Sequence, residues 1–118
     1  MKGFLVKNVS TTNNDKKVKI DKVIIEFEKG YEIAKNISPA VTVLGSARFR
    51  SKNKYYKKAR ELGFKLGNIG YNVVTGGGGG IMEAANKGAH ECGKTKSIGF
   101  KIILPHEKHL NPYTNLHF

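Results

Sequence analysis

The sequence predicts an α/β chain: the first half of a Rossmann-like, doubly wound parallel sheet, with three strands and an N-terminal helix. Three observations point there. Short apolar runs rich in β-branched residues alternate with stretches whose apolar residues recur every three or four positions. That alternation is the pattern of strands and crossover helices in a parallel sheet covered on both faces. Finally, five consecutive glycines, Gly76 to Gly80, separate a strand-like run from a helix-like one, where such folds place their ligands.

Taken in order, residues 1–17 are polar and basic and read as a loose tail, and residues 18–118 as the Rossmann-like domain. Ile20, Ile24, Phe27, Tyr31 and Ala34 form one helix face, which Pro39 ends because the residue before a proline is pushed out of helical geometry. "AVTVLG" is a buried strand closed by Gly45, and "SARFRSKNK" a loop. Tyr56, Ala59, Leu62 or Gly63, Leu66 and Ile69 mark a second helix with Gly70 as its C-cap. "YNVVTG" is the second strand. Gly80 to Cys92 is the third helix, closed by Gly93, and its small residues Ala84, Ala85, Gly88 and Ala89 suit close packing against the sheet. "KSIGFKIIL" is the third strand, stopped by Pro105, and "PHEKHLNPYTNLHF" reads as loop. The second half of the fold is absent from this reading.

The chain has 118 residues, a size for one domain, and a formal charge of +12. No apolar run reaches the roughly 20 residues of a membrane span, and no signal-peptide core follows the basic start. With one cysteine, Cys92, no internal disulfide forms, and a reducing, cytoplasmic location is expected. The positive charge suits an anionic partner, although lysines that are merely solvated explain it equally.

The glycines carry the chemistry. A helix N-terminus offers N–H groups without intrahelical acceptors and a partial positive charge. Glycines let an anion approach that backbone closely. Gly76, Gly77, Gly78, Gly79 and Gly80 are therefore expected to cradle a phosphate; a bare strand-to-helix turn needs only one or two. The first strand ends in "GSARFR" at the same sheet edge, so Gly45, Ser46 and Arg48 converge on the loop, with Ser46 a donor and Arg48 a clamp for phosphate. Met82 has two readings, pocket lining or core. So has Glu83: a carboxylate matched to the helix dipole, or a ligand contact.

Other motifs weigh less. "GAHECGKT" matches the phosphate-binding pattern G-x-x-x-x-G-K-[ST], but it follows a helix and opens a strand, the reverse of what that loop requires. His90, His106, His109 and His117 lack metal-ligand spacing, and no metal or cofactor is expected. Arg48, Arg50, Lys52, Lys54, Lys57, Lys58 and Arg60 are interleaved with Phe49, Tyr55 and Tyr56. Such a stretch is either a solvated face or a grip on single-stranded nucleic acid.

"VTVLGSAR", "ARELGFKLGNIGYNVVTGGGGGIMEAANKGA" and "ILPHE…NPY" together resemble the Lonely Guy family of nucleotide phosphoribohydrolases, over about Ile20 to Tyr113. The resemblance implies hydrolysis of the N-glycosidic bond of AMP or a cytokinin riboside 5′-monophosphate to a base and ribose 5-phosphate. It also implies a homodimer without metal. Gly45, Ser46, Arg48, the glycine run and Met82 match family positions near the nucleotide, and Glu107 is similar to a substrate-loop acid. Gly79 stands where relatives often carry proline. The family's catalytic arginine and P-G-G-x-G-T-x-x-E motif do not occur in these 118 residues, so nucleotide binding without catalysis is expected of this chain alone. Two alternatives remain. One is a single-stranded-DNA-binding module like the DNA-processing protein DprA, which the "GIMEAANKGA" stretch fits less well. The other is an inactive, truncated remnant.

Overall fold

The computed structural model describes residues 14–101 and 110–117. The chain divides into two compact units, Met1–Asn36 and Ile37–Phe118. The first contains α1 (Asn14–Ala34), which begins inside the stretch the sequence assigns to the tail. It ends five residues before Pro39, with the turn closed by Lys35 N donating to Tyr31 O and Asn36 N to Ile33 O. On the expected apolar face, Ile20 and Ile24 are half-buried, whereas Phe27, Tyr31 and Ala34 are exposed.

The second unit is the α/β half-fold. Its elements are β1 (Ala40–Thr42), α2 (Lys54–Asn68), β2 (Asn72–Thr75), α3 (Ile81–Cys92), β3 (Ser97–Gly99) and β4 (Leu116–His117). The strands lie in sequence order and all pairings are parallel. Val41 faces Val73 in register, and Val74 faces Ile98. The fourth strand falls in the stretch expected to be loop. Two residues without apolar alternation leave no strand period to read.

Both crossover helices pack on one another and on β2, so they cover the same face of the sheet. The core lies beneath them: Val43, Val73, Ala85 and Ala89 form one cluster, and Tyr56, Ala59 and Ala84 another. Ile81 packs against both. Val74 and Ile98, one residue out of phase, point to the opposite face and are buried as well. Among the described residues no helix is long and apolar enough to cross a membrane.

Local chemistry sets the helix ends. Asn53 caps α2, its Oδ1 accepting from Tyr55 N at 2.8 Å. Gly70, just past the end of α2, has φ +97°, and Gly93 closes α3 in the left-handed region with its N–H on Ala89 O. Gly88 serves a different surface from the one expected. A Cβ there would overlap Arg60 O, and one on Gly63 would overlap Ala85 O. The two glycines thus bring the backbones of α2 and α3 together, whereas Ala85 and Ala89 meet the sheet. Arg60 closes the same helix pair with a two-pronged bond to Glu91, Nε to Oε1 at 2.7 Å and Nη2 to Oε2 at 2.5 Å.

Candidate glycine-rich binding site

The carboxyl ends of β1, β2 and β3 converge on the glycine loop. Thr75 ends β2, and the chain crosses to Ile81 through glycine alone. Gly77 has φ +75° and Gly80 φ +64°, conformations that side chains rarely adopt. At Gly80 closeness adds to conformation, because a Cβ would overlap the Ser46 carbonyl oxygen. That carbonyl accepts the first helical N–H of α3, Ile81 N to Ser46 O at 2.9 Å. The loop after β1 is thereby fastened to the mouth of α3. Met82 and Glu83 follow in the first turn, where helix geometry gives N–H groups no intrahelical acceptor.

Of the residues expected from the first loop, Gly45 and Ser46 lie against the start of α3. Gly45 packs so tightly on Ile81 that a Cβ would overlap its side chain. Ser46 Oγ accepts from Arg48 N at 3.1 Å, which folds "SAR" into a tight turn and leaves Arg48 exposed. Met82 is half-buried and lies against the loop, its sulfur 3.1 Å from a Cβ built on Gly76. Glu83 is part-buried, and its Oε2 accepts from the Tyr56 hydroxyl at 2.7 Å. Burial, and then the bond to Glu83, push the Tyr56 phenol well above its ordinary range. Tyr56 therefore remains a protonated donor that points one carboxylate oxygen of Glu83 toward α2. Glu107 lies outside the described residues.

Sequence reasoning missed the device that holds the loop. Asn86, fully buried in α3, is its hub. Its Oδ1 accepts from Thr75 Oγ1 at 2.5 Å and from Asn111 Nδ2 at 3.0 Å. Its Nδ2 donates to Ser97 Oγ at 2.8 Å and to Ile98 O at 3.3 Å. Thr75 Oγ1 accepts from Gly77 N, and Asn111 donates to Gly77 O from its backbone and to Gly78 O from its side chain. Asn115 brackets Ser97, accepting from Ser97 N and donating to Ser97 O. Three elements and the C-terminal segment are thus tied to a loop that has no side chains of its own.

A second missed residue is Lys101, two positions beyond β3. Its backbone leaves the sheet beside the glycine loop: Phe100 N bonds Thr75 O, and Phe100 O is the next-nearest atom, after the Met82 sulfur, to a Cβ on Gly76. Its Nζ is buried and has no hydrogen-bond partner among the described residues. Buried ammonium groups are normally paired. The P-loop look-alike is displaced from this edge. Gly88 and Ala89 lie inside α3, and Lys94 Nζ donates to Asn68 Oδ1 at 2.6 Å before β3 begins.

The chain matches the SLOG cluster4 family over residues 38–116, a span that includes both loops and the Asn86 network. A crystal structure of the protein TM1055 is 32% identical, with a TM-score of 0.48, over 66% of this chain. The match takes in 44% of that protein, so this chain spans less than half of its length. No curated protein matches.

Proposed function

Starting from a chain that belongs to the SLOG cluster4 family, we propose that its glycine-rich edge binds a nucleoside 5′-monophosphate of the AMP type. The observation that carries this reading is the cradle itself. A side-chain-free loop is pinned by buried amides and opens onto the first turn of α3, and the chain leaving β3 beside it carries Lys101, whose buried ammonium has no hydrogen-bond partner among the described residues. N–H groups fixed in place by a surrounding network bind an anion without first having to be ordered.

Each residue then has a task. The glycine loop and the first turn of α3 receive the phosphate, with Gly45 allowing the two loops to close on each other. Ser46 donates its hydroxyl proton to a phosphate oxygen while its lone pair holds the Arg48 turn. Arg48 and Lys101 neutralise the charge, and Met82 packs against the sugar or base. Glu83, held by Tyr56, accepts a bond from a ribose hydroxyl; Glu107 is a second substrate contact. The Lonely Guy resemblance extends the reading to phosphoribohydrolysis in a homodimer. Glycosidic cleavage passes through an oxocarbenium-like state that needs a carboxylate to stabilise it or to activate water. The family's arginine and P-G-G-x-G-T-x-x-E motif are not in this stretch. We therefore assign binding and orientation of the nucleotide to these 118 residues, and not bond cleavage.

Calorimetric titration with AMP, ribose 5-phosphate and adenosine tests this. AMP and ribose 5-phosphate bind, adenosine does not, and Gly79→Ala weakens both phosphate ligands. That variant is chosen because its Cβ would meet nothing nearer than Ala47 O at 3.5 Å, so the fold accommodates it. Adenosine binding as tightly as AMP would overturn the assignment.

A further inference from the structure

Beside the nucleotide cradle lies a second feature, of which the proposed function uses Arg48 alone. From Gly45 to Asn68 the chain has eight Lys and Arg residues and one acid, Glu61. Glu61 is engaged by Lys65 at 2.8 Å, and Arg60 by Glu91 of α3. Arg48, Arg50, Lys52, Lys54, Lys57 and Lys58 remain, all exposed, and among the described residues no ion pair involves any of them. They run without interruption from the loop after β1 onto the first two turns of α2. Tyr56, Ala59, Gly63 and Gly67 are the buried residues of α2, so Lys54, Lys57 and Lys58 share its solvent side.

Aromatic rings are set among these cations. Phe49 and Tyr55 stack with centroids 5.7 Å apart and planes 29° from parallel. Lys54 Nζ stands 5.0 Å from the Tyr55 centroid, and Tyr55 is 51% exposed. The loop that presents them is fixed, since Asn53 N donates to Arg50 O at 2.9 Å and Asn53 Oδ1 accepts from Tyr55 N at 2.8 Å. An ordered ridge of positive charge around an exposed ring pair is complementary to a chain of phosphates that also offers flat faces for stacking.

We propose that this ridge binds single-stranded nucleic acid, with phosphates along Arg48 to Lys58 and a base stacked on the Phe49–Tyr55 pair. Duplexes keep their bases stacked internally and so do not use the ring pair. A lipid surface or polyphosphate would use the charge but not the rings.

The test is fluorescence anisotropy with labelled oligo-dT and oligo-U of about 20 nucleotides, alongside polyphosphate competition and anionic phosphatidylserine vesicles. Six phosphate contacts on a single strand predict a slope of log K against log salt near about −4, a roughly 250-fold loss on a fourfold rise in salt. Replacing Lys54, Lys57 and Lys58 together by Gln lowers the slope by about 2. Tyr55→Ala weakens both oligonucleotides about tenfold and leaves polyphosphate affinity unchanged. The two oligonucleotide arms separate DNA from RNA as the natural source. Circular dichroism and urea midpoints confirm that the variants fold. Gly79→Ala keeps full oligonucleotide affinity, so failure of the nucleotide assignment and failure of this one are distinguishable. The proposal is overturned if no saturable oligonucleotide binding occurs at about 50 mM salt. Equal affinity for polyphosphate or vesicles with no effect of Tyr55→Ala overturns it as well.

Discussion

Asn86→Ala tests whether the glycine loop is held from below. The substitution removes four side-chain hydrogen bonds. Two of the partners keep a substitute: Asn111 Nδ2 still reaches Gly78 O, and Ser97 Oγ still donates to the backbone carbonyl of residue 86. The Thr75 hydroxyl, 2% exposed, loses its acceptor altogether. Stranding one buried donor costs about 1–3 kcal/mol, and each further bond lost about 0.5–1.5 kcal/mol, less for the 3.3 Å contact. The sum is about 2–7 kcal/mol, a large share of the roughly 5–15 kcal/mol that holds a domain together. Urea unfolding, with the slope checked for constancy, reads it directly, and Tm should fall by at least about 8 °C. Asn86→Asp refines the test. It keeps both acceptor contacts but turns a carboxylate oxygen toward Ile98 O. Burial raises the folded carboxyl pKa above the unfolded value, so its penalty is full above the raised pKa and disappears as pH falls below the unfolded one. A loss under about 1 kcal/mol for Asn86→Ala would refute the hub.

Three further outcomes are expected. Lys101→Met stabilises the unliganded chain by removing a buried ammonium that has no hydrogen-bond partner among the described residues, yet weakens ribose 5-phosphate binding about tenfold. Paired thermal scans with and without ligand check both signs, and a destabilised apo chain would contradict the placement. Gly88→Ala drives a methyl into Arg60 O and to 2.7 Å from Phe64 N. Because both obstacles are backbone, its urea midpoint falls by an amount at or above the usual overpacking range of about 1–3 kcal/mol. Glu91 is held below its ordinary value of 4.5 by the Arg60 hydrogen bond. The pair's contribution is therefore present above that value and lost as pH falls through the lowered one. The stability gap between wild type and Glu91→Gln, measured from pH 7 down to about 3, should close only in acid.

What could be read from the sequence is what repeats or clusters along it. The β-branched runs at Ala40 and Asn72 and the helical spacing from Tyr56 to Ile69 are local signals, and the half-fold follows from their order. Five adjacent glycines before an apolar helix are equally local, and of the residues expected beside them Gly45 and Ser46 touch the mouth of α3 while Arg48 is exposed in the turn that follows. The residues that escaped act across long separations. Asn86 and Asn111 are 25 positions apart, and no period links them. Gly88 reads as sheet-facing because a small residue in a helix signals close packing without saying against what. Lys101 sat inside an apolar run, where its charge reads as an interruption and not as a site. β4 has two residues, too few to alternate.

Those missed residues explain the feature that was easiest to see. A run of glycine has no side chains with which to fix itself and is the costliest backbone to order. Only Gly77 and Gly80 need positive φ, and Gly80 also needs space. The loop can therefore stay glycine-rich only if its surroundings supply the order. Here Thr75 accepts from the N–H of Gly77 and Asn111 donates to the carbonyls of Gly77 and Gly78, while Asn86 holds both Thr75 and Asn111 from beneath. Anchoring the carbonyls from the core side fixes the peptide planes while adding no side chain between the loop and an approaching anion. The same buried amides that stabilise the fold thus prepare the binding surface. For that reason Asn86→Ala should lower phosphate affinity as well as stability, even though Asn86 itself is fully buried and donates to no position a ligand can reach.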